Sequence, residues 1–237
     1  MNAACRMVRR GLSLLGLLRG QDPCRAAAGL LRGVRVTDVV DGGAHTGGTT
    51  RRLLALFPAA TVHAFEPQRQ SFARLQSHFK NHPRVRPYPW ALSDRSGPAT
   101  LHVHPGGYTT SLLMTSDPER MHPQETQEVE TRTLDAWAVA NGQASPALLK
   151  LDVQGHELAA LRGASQLLAR EVRVVLTEVN FHPRYCGSCV FPEVVAFLHE
   201  RGFRLIGCYE IVKNRRGAWW HGDALFARDS VTDSVTG

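Results

Sequence analysis

From Val34 onward the chain alternates short β-branched apolar runs with stretches of helical period, which restricts it to βαβ units wound around a parallel sheet. The first run, Val34–Val40, is followed by Asp41, by the turn Gly42-Gly43-Ala44-His45-Thr46-Gly47, and by a helix with Leu53, Leu54 and Phe57 on one face that Pro58 stops. A second strand, Ala60–Phe65, runs into Glu66-Pro67, and the next helix carries Phe72, Leu75 and Phe79. The third strand is expected near Val85–Leu92, and Ala99–His104 alternates as an edge strand whose His102 and His104 face solvent. Residues 106–127 hold neither period, and so long an irregular stretch in a small domain marks a functional loop or a lid.

The second half repeats the alternation. A strand at Glu128–Arg132 precedes a helix at Leu134–Ala140 and the strand Ala147–Asp152. One helix carries Leu158, Leu161, Ala164, Leu167 and Leu168 inward. Val172–Val179, the most β-branched run, belongs in the middle of the sheet. Helix Phe191–Arg201 ends at Gly202, and strands Phe203–Ile211 and Asp223–Ala227 close the domain around the basic turn at 213–217. The division expected is a basic arm over residues 1–33, an α/β domain over 34–228 and a polar tail over 229–237.

Charge narrows the function. The net charge of +7 suggests nucleic acid, but seven of the 28 basic residues and one of the 21 acids lie in residues 1–35. The rest is almost neutral, which argues against a nucleic-acid groove across the domain. Five cysteines, odd in number and unevenly spaced, fit a reducing cytoplasmic setting better than a disulfide framework. Arg6, Arg9 and Arg10 precede the apolar run Leu12–Leu18, which is too short to span a bilayer. It is read as a small helix packed on the domain, with a peripheral membrane-surface contact as the alternative.

Three segments carry chemistry. The glycine turn between the first strand and helix lets a nucleotide-like ligand approach bare backbone. A dinucleotide fingerprint would read G-x-G-x-x-G, yet position 44 is Ala and the strand ends in Asp41, unwelcome beside a pyrophosphate. A ligand with a cationic part suits Asp41 better. Glu66 ends the second strand roughly 20 residues further on, where an acid accepts hydrogen bonds from ribose hydroxyls. In Leu149-Lys150-Leu151-Asp152-Val153-Gln154-Gly155-His156-Glu157 an apolar strand delivers Asp152 to the ligand-binding edge, and His156 and Glu157 start a helix. Asp152, His156 and Glu157 are therefore the candidate acid/base groups, although an acid at a helix start also stabilises the helix itself.

Taken in order, Val40-Asp41-Gly42-Gly43-Ala44-His45-Thr46-Gly47, Phe65-Glu66-Pro67, Ala91-Leu92-Ser93-Asp94, Thr110-Ser111-Leu112-Leu113, Arg132-Thr133-Leu134-Asp135, Leu149–Glu157, Gly163-Ala164, Glu178-Val179, Gly202-Phe203 and Gly222-Asp223-Ala224-Leu225-Phe226 resemble the FkbM family of methyltransferases. His45 departs from the family, which more often has Asn there. The resemblance implies a Rossmann-like class I fold, a mostly parallel seven-stranded sheet with helices on both faces and an antiparallel last strand. It implies S-adenosylmethionine as cofactor and O-methylation of a small-molecule, sugar or polyketide-like acceptor. Carried over by position, Asp41, Gly43, Ala44 and Gly47 hold the methionine part, Glu66 the ribose, and Ala91, Leu92 and Ser93 the adenine side, with Asp152 beside the cofactor.

Glu178, His182 and Asp223 end neighbouring strands, where they can shape the acceptor pocket. No spacing calls for a metal, and Cys186-Gly187-Ser188-Cys189 has no second pair to complete a zinc site. A nicotinamide oxidoreductase and a non-catalytic nucleoside-binding module are the rival readings. Ala44 and Asp41 oppose the first, and the intact set of Asp41, Glu66 and Asp152 opposes the second.

Overall fold

The computed structural model describes residues 22–104, 109–117 and 122–232. The expected Leu12–Leu18 helix lies outside them. The chain begins with helix α1 (Pro23–Leu30), capped by the Asp22 carboxylate, which accepts from the Cys24 and Arg25 amides. Strand β1 (Asp38–Gly42) and helix α2 (Gly48–Leu56) follow, then β2 (Thr61–Phe65), α3 (Arg69–His78) and β3 (Val85–Tyr88). Next come β4 (Trp90–Leu92), β5 (Gly97–Val103), β6 (Glu125–Arg132), α4 (Leu134–Ala140) and β7 (Pro146–Leu151). Helices α5 (Glu157–Arg162) and α6 (Ser165–Arg170), strand β8 (Val174–Asn180), helix α7 (Phe191–His199), strands β9 (Phe203–Lys213) and β10 (Trp219–Arg228), and the short α8 (Asp229–Thr232) complete it.

Seven strands form one sheet in the order β3-β2-β1-β7-β8-β10-β9. The contacts among β3, β2, β1, β7 and β8 are parallel, and β10 runs antiparallel between β8 and β9. This is the Rossmann-like class I architecture that the motif order implies. Every residue of β7 and of β8 is buried, as expected for strands covered on both faces. One face packs Val40, Leu149, Val175 and Val179 against α4 to α7. The other packs Val39, Leu148, Val174 and Leu225 against α1 to α3. Alternation then puts Asp41 and Lys150 on the second face at the carboxyl edge, where the first turn of α2 reaches Asp41 through Thr50.

Several boundaries move, each for a local reason. The run Val34–Val40 is strand only from Asp38, because the Val34 amide still donates to the Leu31 carbonyl. The third strand divides at Pro89, which has no N–H for a ladder. Its first part joins the main sheet, and Trp90–Leu92 pairs instead with β6 in a second, three-stranded sheet ordered β4-β6-β5. The single helix expected through Leu158–Leu168 breaks at Gly163, where Asp135 caps α6 by accepting from the Gln166 and Leu167 amides. The irregular stretch stops at Glu125 rather than 127, and Ser111 bridges to His102. His104, expected to face solvent, is only 1% exposed. Helix α8 lies in the stretch expected to be a polar tail, and its Asp229 carboxylate pairs with Arg204 at 2.6 Å.

Helix α1 also lies on the arm side of the expected boundary, yet Cys24, Ala27 and Leu31 are buried in the core. No helix of the described residues is long and apolar enough to cross a membrane. Because Ala27 is fully buried, Ala27→Asp should lower stability by at least about 2 kcal/mol in urea denaturation. Arg25→Ala, at an exposed ion pair with Asp22, should cost under about 1 kcal/mol. Equal effects would show that α1 is not docked.

Candidate functional site

The carboxyl edge of β1 is built around buried charge. The Asp41 side chain is fully buried, and Thr50 Oγ1 donates to its Oδ2 at 2.6 Å. Its Oδ1 lies 3.2 Å from Lys150 Nζ on the adjacent strand. The same ammonium is 3.9 Å from Asp152 Oδ2 and donates to the Gly42 and Gly43 carbonyls at 3.4 Å each. Burial disfavours the charge on Lys150, but Asp41 and Asp152 outweigh it and raise its pKa above the usual lysine value. Asp41, expected beside a cationic ligand, therefore meets a cation supplied by the protein. The sequence shows Lys150 only as a lone basic residue in an apolar strand, and its burial there gives it its role.

The glycine turn is shaped by the backbone it meets. Gly43 has φ +74° and faces the Asp152 carbonyl so closely that a Cβ would overlap it. The Gly43 and Ala44 amides donate to the Phe65 carbonyl at 3.0 and 2.9 Å. Ala44 is 3% exposed and packs in the core, and Gly47, φ +92°, lies against the Phe79 ring. Of this turn, Gly43 and His45 line the adjoining cavity, while Ala44 and Gly47 turn inward.

That cavity encloses about 680 Å³ with the open solvent at its mouth included. Phe65, Trp90, Ala91, Leu92 and Leu101 form an apolar wall, and Thr110, Ser111 and Leu112 a roof. Glu66, Asp152, Gln154 and His156 are the polar lining. Glu66 Oε2 accepts from the His45 amide at 2.8 Å and Oε1 from the Gln68 amide at 2.9 Å, so both oxygens are aimed by backbone. Burial pushes the Glu66 carboxyl up to about 7 against those two hydrogen bonds. Ser93 lies behind the wall, its hydroxyl 3.0 Å from His156 Nε2. Burial lowers the His156 pKa and favours the neutral ring.

The turn after β7 holds a residue given no role by its sequence. Gln154, at φ +54°, donates through Nε2 to Asp152 Oδ1 at 2.8 Å and to Glu178 Oε2 at 2.9 Å. Its Oε1 accepts from the Tyr185 hydroxyl at 2.8 Å, and its backbone carbonyl accepts from Ser111 Oγ at 2.6 Å. Gly155, φ +92°, lies flat against Tyr185, whose ring would be 2.6 Å from a Cβ there. Glu157 is 1% exposed and turns away from the cavity to accept from the Val153 and Gly155 amides at 3.0 and 3.1 Å. Burial, and then Glu178, raise its pKa. Of the three acid/base candidates, Asp152 is thus partly open at the cavity, His156 sits at the Ser93 end, and Glu157 clamps the turn. Cys186 and Cys189 are free thiols, and no group of three metal-ligating side chains occurs among the described residues.

A family model described as the methyltransferase FkbM domain matches residues 41–205. The 2-O-methyltransferase NoeI of Sinorhizobium fredii is 31% identical over 161 residues, 63% of this chain and 66% of that protein. The hexuronic acid methyltransferase AglP of Haloferax volcanii is 27% identical over 122 residues, 51% of this chain and 48% of that protein. The chain thus spans less than two thirds of the length of either relative. The crystal structure of methyltransferase FkbM from Methylobacillus flagellatus has the same fold, with a TM-score of 0.54 at 15% identity over 82% of this chain and 45% of that one.

The buried ion pair gives a direct test. Lys150→Met leaves the Asp41 carboxylate without its cation and should destabilise the protein by about 3–5 kcal/mol in chemical denaturation. The double variant Asp41→Asn, Lys150→Met should recover part of that loss. A single variant as stable as the parent would mean that Asp41 does not depend on Lys150.

Proposed function

The chain belongs to the FkbM methyltransferase family, and from that premise we propose that it transfers a methyl group from S-adenosylmethionine to a hydroxyl oxygen of a small acceptor, a sugar or polyketide-like molecule. The observation that carries this reading is Glu66. Its carboxylate is aimed by two backbone amides at the opening of an apolar slot. A carboxylate beside a flat apolar wall fits a ribose next to an adenine. The glycine turn carries no unpaired phosphate cradle, since the Gly43 and Ala44 amides are committed to Phe65. That donor set suits a nucleoside without a pyrophosphate.

When bound, the donor supplies an electrophilic methyl on a sulfonium. The protein's own part is to orient, exclude water and move one proton. Glu66 accepts from the ribose hydroxyls, and Phe65, Trp90, Ala91 and Leu92 pack the base. Ser93 and His156 close that end as a neutral hydrogen-bonded pair. Asp41, Gly43, Ala44 and Gly47 act on the methionine part chiefly by setting the turn, with Gly43 in reach of it. Asp152 receives the acceptor's hydroxyl proton on a carboxylate held by Gln154 at Oδ1 and faced by Lys150 at Oδ2. Alignment supplies the larger share of rate acceleration in a direct displacement, and a positioned base adds about 10²–10⁴-fold. Glu157 and His156 serve here as positioning residues.

Calorimetry should show binding of S-adenosylmethionine and negligible binding of NAD, and comparable affinities would sink the reading. Glu66→Ala should weaken donor binding by about 1.5–3 kcal/mol. Ribose hydroxyls donate to the ionised form, so affinity should fall as pH drops below about 7, the value to which burial pushes Glu66. Glu66→Gln should flatten that dependence.

Asp152→Asn keeps the shape of the side chain and removes the base. Donor affinity should stay within about threefold while methyl transfer, followed with a labelled donor, falls at least tenfold. Undiminished transfer would remove Asp152 from the chemistry.

A further inference from the structure

Beyond Asp152 the carboxyl edge continues as a row of acids whose strand ends the sequence places beside the acceptor, without saying what acceptor chemistry they select. Asp223 on β10 stands opposite Glu178 on β8, and His221 stands opposite Asn180. Gln154 joins Glu178 to Asp152, and His221 Nδ1 lies 3.4 Å from Glu178 Oε1. Three strands thus bring Asp152, Glu178 and Asp223 to one edge on one face. Burial and the charges of Asp152, Glu178 and Glu210 push the Asp223 carboxyl up to about 7, with Lys150 opposing. Lys150 is already committed to Asp41 and Asp152. His221 and Arg184 offset part of the charge at Glu178.

A cluster of acids is not in itself a binding site, but Asn180 adds an independent observation. It is 2% exposed, and neither its Oδ1 nor its Nδ2 has a hydrogen-bond partner among the described residues. Cross-strand partners share a face, and so do residues two apart on a strand. Asn180 therefore lies on the face of His221 and Glu178, at the end of the acid row. A buried amide with both groups unmet is costly and rare. A molecule carrying hydroxyls resolves it, because each hydroxyl both donates and accepts. The neighbouring carboxylates accept further hydroxyl donors.

We infer that this row, Asp152, Glu178 and Asp223 with Asn180, is the acceptor subsite, that it takes an uncharged hydroxyl-rich unit such as a neutral sugar, and that it rejects a uronate. This rests on the reading that the acceptor enters beside Asp152. The rejection follows from the balance of sign. Asp41, Asp152, Glu178 and Asp223 meet Lys150, which is committed to Asp41 and Asp152, and Arg184 and His221, which face Glu178, so acids prevail along the row and like-charge contacts oppose an acceptor carboxylate. The subsite therefore differs in preference from one built for hexuronic acid, although a hexuronic acid methyltransferase is among the relatives.

The test is ligand-observed NMR with S-adenosylhomocysteine present, using methyl glycosides of glucose, galactose and mannose beside the matching uronates. At least one neutral glycoside should bind ten or more times more tightly than its uronate. Asp223→Asn, which removes a charge and keeps the shape, should narrow that ratio at least threefold. Asn180→Leu, close in volume, should weaken the neutral glycoside at least tenfold without changing S-adenosylhomocysteine binding. If Asn180→Leu no longer folds, Asn180→Ala carries the same comparison.

A uronate bound as tightly as its neutral partner overturns the inference. So does the absence of binding by any of the three neutral glycosides, or an Asn180 variant with parental affinity. Each of these with S-adenosylhomocysteine binding intact strikes the subsite alone. Loss of S-adenosylhomocysteine binding in the parent protein strikes the proposed function instead.

Discussion

A lysine ammonium buried between two carboxylates holds the two central strands of the sheet in register at the edge where the cavity opens. Asp41 and Lys150 are cross-strand partners of β1 and β7, and both are removed from water. Neither charge is tolerable there alone, so the two strands cannot slide or part without exposing an uncompensated ion. The same ammonium reaches the Gly42 and Gly43 carbonyls and faces Asp152. One group thereby ties the turn after β1 to the carboxylate that follows β7. Specificity of register, rather than net stability, is what such a pair supplies, since a well-packed apolar pair in its place would cost little.

The turn at 152–157 depends on that register and carries the polar network outward. Gln154 and Gly155 both adopt positive φ, which for a glutamine costs energy and is sustained only by surrounding bonds. Those bonds are present: Glu157 takes two amides of the turn, Tyr185 and Ser111 take the Gln154 side chain and carbonyl, and Gln154 fixes two acids. The roof is held through the same residues, because Tyr185 also donates to the Thr109 carbonyl at 3.2 Å. Roof, turn and acid row form one hydrogen-bonded unit. A change in the 109–117 segment is thereby coupled to the orientation of Asp152 without touching it.

Much of this was legible in the sequence, and the parts that were not share a cause. Glu66 and Asp152 stand where strand periodicity ends and a helix begins, a position visible in one dimension. The antiparallel final strand and the helices on both faces followed from motif order. Lys150 was not legible as a functional group, because a period-two reading treats a single lysine in an apolar strand as an interruption. Its meaning comes from Asp41, more than a hundred residues away. Gln154 is similar, with partners 24 and 31 residues distant at Glu178 and Tyr185. The division at Pro89 was legible from chemistry, yet where Trp90–Leu92 would go depended on β6. Glu157 looked like a helix-start acid, and only the three-dimensional turn shows its carboxylate folded back on its own backbone.

The glycines invite a reading in terms of ligand approach, and the structure assigns them a different duty. Gly43 lies against the Asp152 carbonyl, Gly163 against the Ser93 carbonyl and Gly155 against the Tyr185 ring. Each joins two segments that wall the cavity: the first turn to the β7 turn, the α5–α6 break to the β4 end, the β7 turn to the 185 loop. A side chain at any of them would have to push its neighbour away, and the neighbour is backbone or a buried ring. The backbone amides of the first turn are meanwhile spent on Phe65, so the turn offers little hydrogen bonding to a ligand. Its glycines matter because they let the segments that carry Glu66 and Asp152 close around one cavity. The site is therefore assembled by close packing of backbone, and that packing sets the few carboxylates of its lining, Glu66 and Asp152, at the cavity.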